Sequence, residues 1–340
     1  MMLPNALDGM LETIRADWLY QVIDRLVRYF PFGEVGLMRG HGALVVCHCI
    51  LPVPDRCLVR FIVHHVGRYI VGKIRCQERS TEVPMTDWTG FYVWYELMTS
   101  DVAAAKTFYG RVLGWTAEDV PMPGMTYTLV KANDMQVAGL MTVPKEARDA
   151  GMKPCWVGYI AVPDVDQGAK KVASLGGKVL REPTDIPGVG RFAVVADPQG
   201  VVFQLFKGTG TAQPEAVSMK PGHVGWHELH SSDAAKAFEF YSALFGWTKD
   251  QTMDMGEMGT YQLFAIRGTP AGGMFNSPAP VKSWLYYFAV EDVDAALKRI
   301  TDHGGHVLQG PMAVPGGMFV VQATDPQGAM FAIVGARKQS

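Results

Sequence analysis

Apolar positions change period in a fixed order along residues 90–206. Phe91–Met98 is strand-like, Ser100 or Asp101 then offers an N-cap oxygen, and Ala104, Ala105, Phe108, Val112 and Leu113 fall on one helical face that Gly114 closes. Strands are expected around Thr126–Lys131 and Met135–Met141. The plan then recurs, with a strand at Val157–Val162, a helix at Asp164–Leu175 ended by Gly176-Gly177, and strands near Arg191–Ala196 and Val201–Phe206. Asp197-Pro198-Gln199-Gly200 reads as the turn before the last strand, with Pro presetting φ and Gly accepting a positive one.

The whole pattern is duplicated. Residues 90–116 and 222–248 match, with Trp94, Glu96, Leu97, Ser100, Asp101, Phe108, Tyr109, Gly114, Trp115 and Thr116 recurring 132 residues later. Residues 156–180 answer 284–308, and DPQGVVFQLF answers DPQGAMFAIV. Each copy reads as two βαβββ units, giving four modules in an α+β fold. The expected domains are 86–207 and 222–336, joined by a Pro- and Gly-bearing linker at 208–221.

Residues 1–84 differ in kind, holding four of the five cysteines and nine arginines against one lysine. Met85 reads as a second possible initiator, so 1–84 is expected to be an N-terminal extension that is spurious, poorly structured or only locally helical. Two features run against that: the helical spacing of Leu11, Ile14, Trp18, Val22, Leu26 and Phe30, and the soft-ligand group Cys47, His48, Cys49, Cys57, His64, His65 and Cys76. C-x-C without a second close pair matches no familiar zinc spacing. A net charge of −2 with no polybasic tract argues against nucleic acid or anionic membrane as partners. No uncharged apolar run is long enough for a spanning helix, and the first residues lack a secretory pattern, so a cytoplasmic monomer or homodimer is expected.

The string D-x-x-x-A-x-x-F-Y-x-x-x-L-G-W after a strand, with DPxG before the last strand of each copy, resembles the vicinal-oxygen-chelate superfamily (the glyoxalase/bleomycin-resistance/dioxygenase group) over roughly residues 86–336. That resemblance implies curved mixed sheets, each wrapped around a cup. It also places metal ligands at strand positions which here are Trp94, Val157 and Gln204 in the first copy, and Trp226, Leu285 and Ala332 in the second. In the last strand of each first unit, Val137–Leu140 and Ala271–Met274 offer no ligand either. No metal or other cofactor is therefore expected, a divalent ion remaining open only if the strand register is wrong.

Residues two apart on a strand share a face, so Trp94 brings Glu96 and Met98 to the cup, and Trp226 brings Glu228 and His230. Val157 and Leu285 likewise bring Tyr159 and Tyr287. Trp94, Tyr159, Gln204, Trp226 and Tyr287 are candidate ligand-binding residues, while Glu96, Glu228 and His230 are candidate acid/base groups. The plain alternative is that both copies merely pack alike, each Trp being core and each Glu paired with a Lys or Arg. Met122–Met125 and Met253–Met258 read as mobile loops at the cup mouth. Three functions compete: a metal-free cup binding a small aromatic molecule; a metal-independent isomerase, lyase or hydrolase using Glu96 or Glu228; and a metal-dependent lactoylglutathione lyase or dioxygenase-like enzyme.

Overall fold

The computed structural model describes residues 88–122, 125–209, 218–278 and 282–338, and the backbone of four strands within residues 35–76. The chain forms two compact units, Met1–Pro84 and Met85–Ser340. In the first, β1 (Val35–Gly40), β2 (Ala43–Val53), β3 (Arg56–His65) and β4 (Arg68–Cys76) make an antiparallel sheet in sequential order. The sequence expectation for this segment, little structure or local helix, does not include that sheet. The spacing from Leu11 to Phe30 and the side chains of the Cys/His group lie outside the described residues, as does 210–217 of the linker.

In the second unit the first repeat runs β5 (Tyr92–Thr99), α1 (Val102–Leu113), β6 (Thr116–Met122), β7 (Met125–Ala132), β8 (Met135–Thr142), α2 (Lys145–Asp149), β9 (Cys155–Ala161), α3 (Val165–Ser174), β10 (Lys178–Ile186), β11 (Gly190–Ala196) and β12 (Val202–Gly208). The second runs β13 (Val224–Ser231), α4 (Ala234–Phe245), β14 (Thr248–Asp254), β15 (Thr260–Ile266), β16 (Thr269–Asn276), β17 (Ser283–Ala289), α5 (Val293–Asp302), β18 (His306–Val314), β19 (Met318–Thr324) and β20 (Met330–Gly335). Each repeat makes its own eight-stranded mixed sheet, ordered β10-β11-β12-β9-β5-β8-β7-β6 and β14-β15-β16-β13-β17-β20-β19-β18. Each cup is thus walled by one repeat. Among the described residues no helix is long and apolar enough to cross a membrane.

The helices start where their caps dictate. Asp101, Asp164, Asp233 and Asp292 each accept from a first-turn amide, and Gly114 and Gly246 end α1 and α4 in the left-handed region. The Met-rich segments lie at two hairpin tips, and Met255–Met258 lies in the connection between β14 and β15, with a 3-10 turn at Gly256–Met258. Met122 ends β6 and pairs with Met125 at the start of β7, and Met253 pairs with Tyr261 across β14 and β15.

The two repeats clasp each other reciprocally. Trp115 Nε1 donates to the Gly222 carbonyl at 2.8 Å, and Trp247 Nε1 donates to the Gly90 carbonyl at 2.8 Å. Tyr109 donates to Asp325 at 3.2 Å and Tyr241 to Asp197 at 3.3 Å, each tyrosine reaching the Asp-Pro turn of the other repeat. Tyr95 and His227, equivalent positions 132 residues apart, meet at 2.6 Å. This exchange is what a pseudo-two-fold relation produces. It gathers Phe108, Tyr109, Trp115, Phe203, Tyr241, Trp247, Trp284 and Phe331 into one buried core spanning both repeats.

Candidate functional site

The inner strands β5 and β9 of the first repeat are antiparallel neighbours, with Trp94 opposite Tyr159 and Glu96 opposite Val157. Gln204 on β12 lies beside Tyr159. The rung holding Trp94 and Gln204 therefore contains Tyr159, while Val157 stands opposite Glu96, two residues along the same strand. In the second repeat Tyr287, not Leu285, pairs with Trp226 and with Ala332. Val157 and Leu285 precede their capping Asp by the same interval as Trp94 and Trp226, and such equivalent positions on antiparallel neighbours stand diagonally on one face.

The other three candidates of the first cup gather around the buried Glu96 carboxylate, Trp94 through Tyr127. Glu96 is 5% exposed, and its Oε2 accepts from Tyr127 and Tyr159, each at 3.0 Å. Gln204 Nε2 stands 3.5 Å from Oε1, and Trp94 Nε1 donates to the Tyr127 hydroxyl at 2.9 Å. The second cup repeats the Trp-Tyr-Glu chain. Trp226 donates to Tyr261 at 2.9 Å and Tyr261 to Glu228 Oε2 at 3.0 Å, while Tyr287 donates to Oε1 at 2.9 Å. His230 Nε2 lies 2.8 Å from Glu228 Oε1, and Ser277 Oγ lies 3.4 Å from His230 Nδ1. Among the described residues the hydrogen-bond partners of both glutamates are phenols, amides and an imidazole rather than Lys or Arg.

Three site residues escape sequence reasoning. Tyr127 and Tyr261 had a signal, since Thr-Tyr recurs in both copies. Gln322 had none: its Nε2 donates to Glu228 at 3.2 Å and to Tyr287 at 2.8 Å, taking the role of Gln204 from a different strand. Val194 pairs with Gln204, and Gln322 pairs with Ala332. The amide has moved across one rung, so the cup that reads as empty at Ala332 keeps its amide.

Burial raises the Glu96 carboxyl above the ordinary carboxylate range, against the pull of Tyr127, Tyr159 and Gln204 and of the Arg181 charge. Burial, then the adjoining glutamate, holds the Tyr127, Tyr159, Tyr261 and Tyr287 hydroxyls well above their usual value, so they stay donors. Glycine makes room for two of these rings. A Cβ on Gly139 would lie 1.9 Å from the Tyr127 hydroxyl, and one on Gly273 would lie 2.0 Å from the Tyr261 ring. Gly139→Ala is therefore expected to cost about 1–3 kcal/mol in denaturant unfolding. In a Tyr127→Ala background the same substitution should cost little, and a loss below about 0.5 kcal/mol in the wild-type background would contradict the steric account.

These observations, two tandem βαβββ pairs each enclosing a cup, agree with the family model described as Glyoxalase/Bleomycin resistance protein/Dioxygenase superfamily, which matches residues 92–205 and 220–333. The chain belongs to this superfamily. Among superfamily relatives, "Putative glyoxylase CFP32" of Mycobacterium tuberculosis is 34% identical over 246 residues, covering 71% of this chain and 93% of that protein. "Anthracycline biosynthesis protein DnrV" of Streptomyces peucetius is 34% identical over 266 residues, covering 73% and 94%. Among solved structures, an Mn(II)-bound glyoxalase from Novosphingobium aromaticivorans shares the fold at TM-score 0.50 and 17% identity, covering 74% of this chain and 83% of that one. An extradiol ring-cleaving dioxygenase from B. fuscum does so at 0.53 and 16%, covering 75% and 74%.

The superfamily's metal-bound members raise the question of fit. A divalent cation needs several lone pairs converging on one point. In the first cup phenol hydroxyls and an amide N–H converge on one carboxylate, and in the second the same donor types surround a single Glu–His pair. Among the described residues no three His, Cys, Asp or Glu side chains come together. The donor set does not fit a resident divalent metal. A separate depression of about 620 Å³, lined by Lys106, Asp119, Thr128 and Pro144 among others, includes none of the cup residues. Within it Lys106 and Thr128 both donate to Asp119.

Proposed function

We propose that this superfamily member binds a small, planar aromatic molecule in its cups without a resident metal. The observation that carries this reading is the repeated arrangement of a half-buried Trp, two phenols and a buried glutamate. Indole and phenol faces stack on a flat ring, and the oriented hydroxyls and carboxylate receive its polar substituents. The identity with a protein named for anthracycline biosynthesis supports the choice of ligand, since anthracyclines are fused-ring aromatics bearing hydroxyl and carbonyl groups. Tryptophan emission during titration with alizarin, a dihydroxyanthraquinone, tests it. Saturable quenching unaffected by EDTA is the expected result. Absence of saturation, or loss of binding with EDTA, argues against the reading.

The His230–Glu228 contact favours a second reading, metal-independent proton transfer in the second cup. There Glu228 would take a proton from a ligand carbon or oxygen while His230 steadies the charge. Glu228→Gln separates the two: turnover lost with alizarin binding retained supports chemistry, and unchanged behaviour in both leaves only binding.

A further inference from the structure

The two cups differ at their lips and at one buried atom. In the first, Arg181 on β10 is exposed, its guanidinium carbon 5.0 Å from the Phe192 ring centroid. Arg181 pairs across the ladder with Val194, and Val194 pairs with Gln204. Cross-strand partners share a face, so Arg181 stands on the face that carries the cup. Its positive charge is felt at Glu96. Between them runs an aromatic wall: Tyr159, bonded to Glu96, lies 6.4 Å from Phe192 and 5.9 Å from Phe206 between ring centroids.

At the inner end Gln204 is 2% exposed, and turning its Nε2 toward Glu96 leaves Oε1 buried with no partner. An orphaned buried acceptor is costly, and a donor supplied by a ligand would satisfy it. The second cup keeps the tyrosine, as Tyr287 bonded to Glu228, and lacks the rest. Gln309, Val320, Val334 and Ala332 stand where the first has Arg181, Phe192, Phe206 and Gln204.

Building on the proposed aromatic-binding function, we infer that the first cup selects an anionic hydroxyarene, its hydroxyl donating to Gln204 Oε1 and its anionic group meeting Arg181 at the lip. A guanidinium suits a carboxylate through paired N–H donors, and at the solvent edge the anion keeps part of its hydration. The second cup, with an amide at the lip and His230 at its base, has no such preference. The two repeats then divide ligands by charge rather than duplicating one site.

The test uses the full chain and two fused-ring probes, 6-hydroxy-2-naphthoate and 2-naphthol, titrated calorimetrically. The first carries hydroxyl and carboxylate at opposite ends of the ring system, and the second lacks the carboxylate. The naphthoate is expected to bind about fivefold more tightly, the scale of one exposed ion pair. Arg181→Gln, which installs the residue of the second cup, should bring the affinity ratio close to one, and Arg181→Lys should keep part of the preference. A ratio unchanged in Arg181→Gln with both probes still bound overturns the inference and leaves the proposed function standing. No binding of either probe overturns both. Arg181 is exposed, and far-UV circular dichroism of each variant controls for folding.

Discussion

Trp247→Ala is expected to lower the free energy of unfolding by about 3–5 kcal/mol, with both repeats still melting in one transition. Trp247 is 1% exposed and stacks on Phe264 at 4.4 Å between centroids, with Tyr241 at 5.4 Å on a nearly parallel plane. Truncation removes that packing and strands the Gly90 carbonyl, which accepts the indole N–H at 2.8 Å. Gly90 has a φ of +86°, and a Cβ there would sit 3.0 Å from Trp247 Nε1, so the indole reaches this carbonyl where the backbone carries no side chain. The bond crosses from one repeat to the other and the core is continuous, so damage in the second repeat destabilises the first as well. Seven of the eight tryptophans fall in residues 85–340, so their emission in a denaturant titration reports on this unit. Two resolved emission transitions, or a loss below about 1 kcal/mol, would refute the single-core account.

That core explains how much of the fold was legible. Ala105, Phe108, Tyr109, Val112 and Leu113 are all buried on α1, so the helix announces itself by its period. The missed elements have no such face. Six of the seven residues of the edge strand β14 are exposed, β6 is similarly open, and β10 is bulged and largely exposed, so their sequences carry no alternation. Trp94 and Gln204 follow from the family resemblance and Glu96 and Tyr159 from strand parity, and the four do meet in one hydrogen-bonded cluster. Parity cannot show which strands are neighbours, so the placing of Tyr127, contributed by β7, and Gln322, contributed by β19, beside the glutamates emerges only in three dimensions. The glutamates were expected to need a partner, and the phenols, silent in composition, supply it.

His227 sets the last expectation, a loss of stability on acidification that belongs to one side chain. Burial lowers its pKa from 6.5 to about 4, only partly offset by the Nδ1 bond to the Ala271 carbonyl at 2.7 Å. With Nδ1–H donating there, Nε2 accepts from the Tyr95 hydroxyl at 2.6 Å, and Tyr92 stacks on the ring at 3.9 Å. This geometry holds only the neutral imidazole. Above pH 6.5 neither folded nor unfolded chain protonates it, so its contribution is fully present. Between 6.5 and about 4 the unfolded state binds the proton and the folded state does not, so stability falls with pH through that window. The total is about 3 kcal/mol, at about 1.4 kcal/mol per tenfold step in proton affinity. Glu96, Asp197 and Asp325, whose carboxyls burial raises, act in the opposite sense as pH falls and would mask the effect in the wild type alone. His227→Gln keeps an N–H for Ala271 and does not titrate, while the carboxyls are common to both proteins. The stability difference between wild type and variant should therefore shrink by about 3 kcal/mol from pH 7 to pH 4. A difference that stays constant would mean that His227 is not held neutral at the junction of the two repeats.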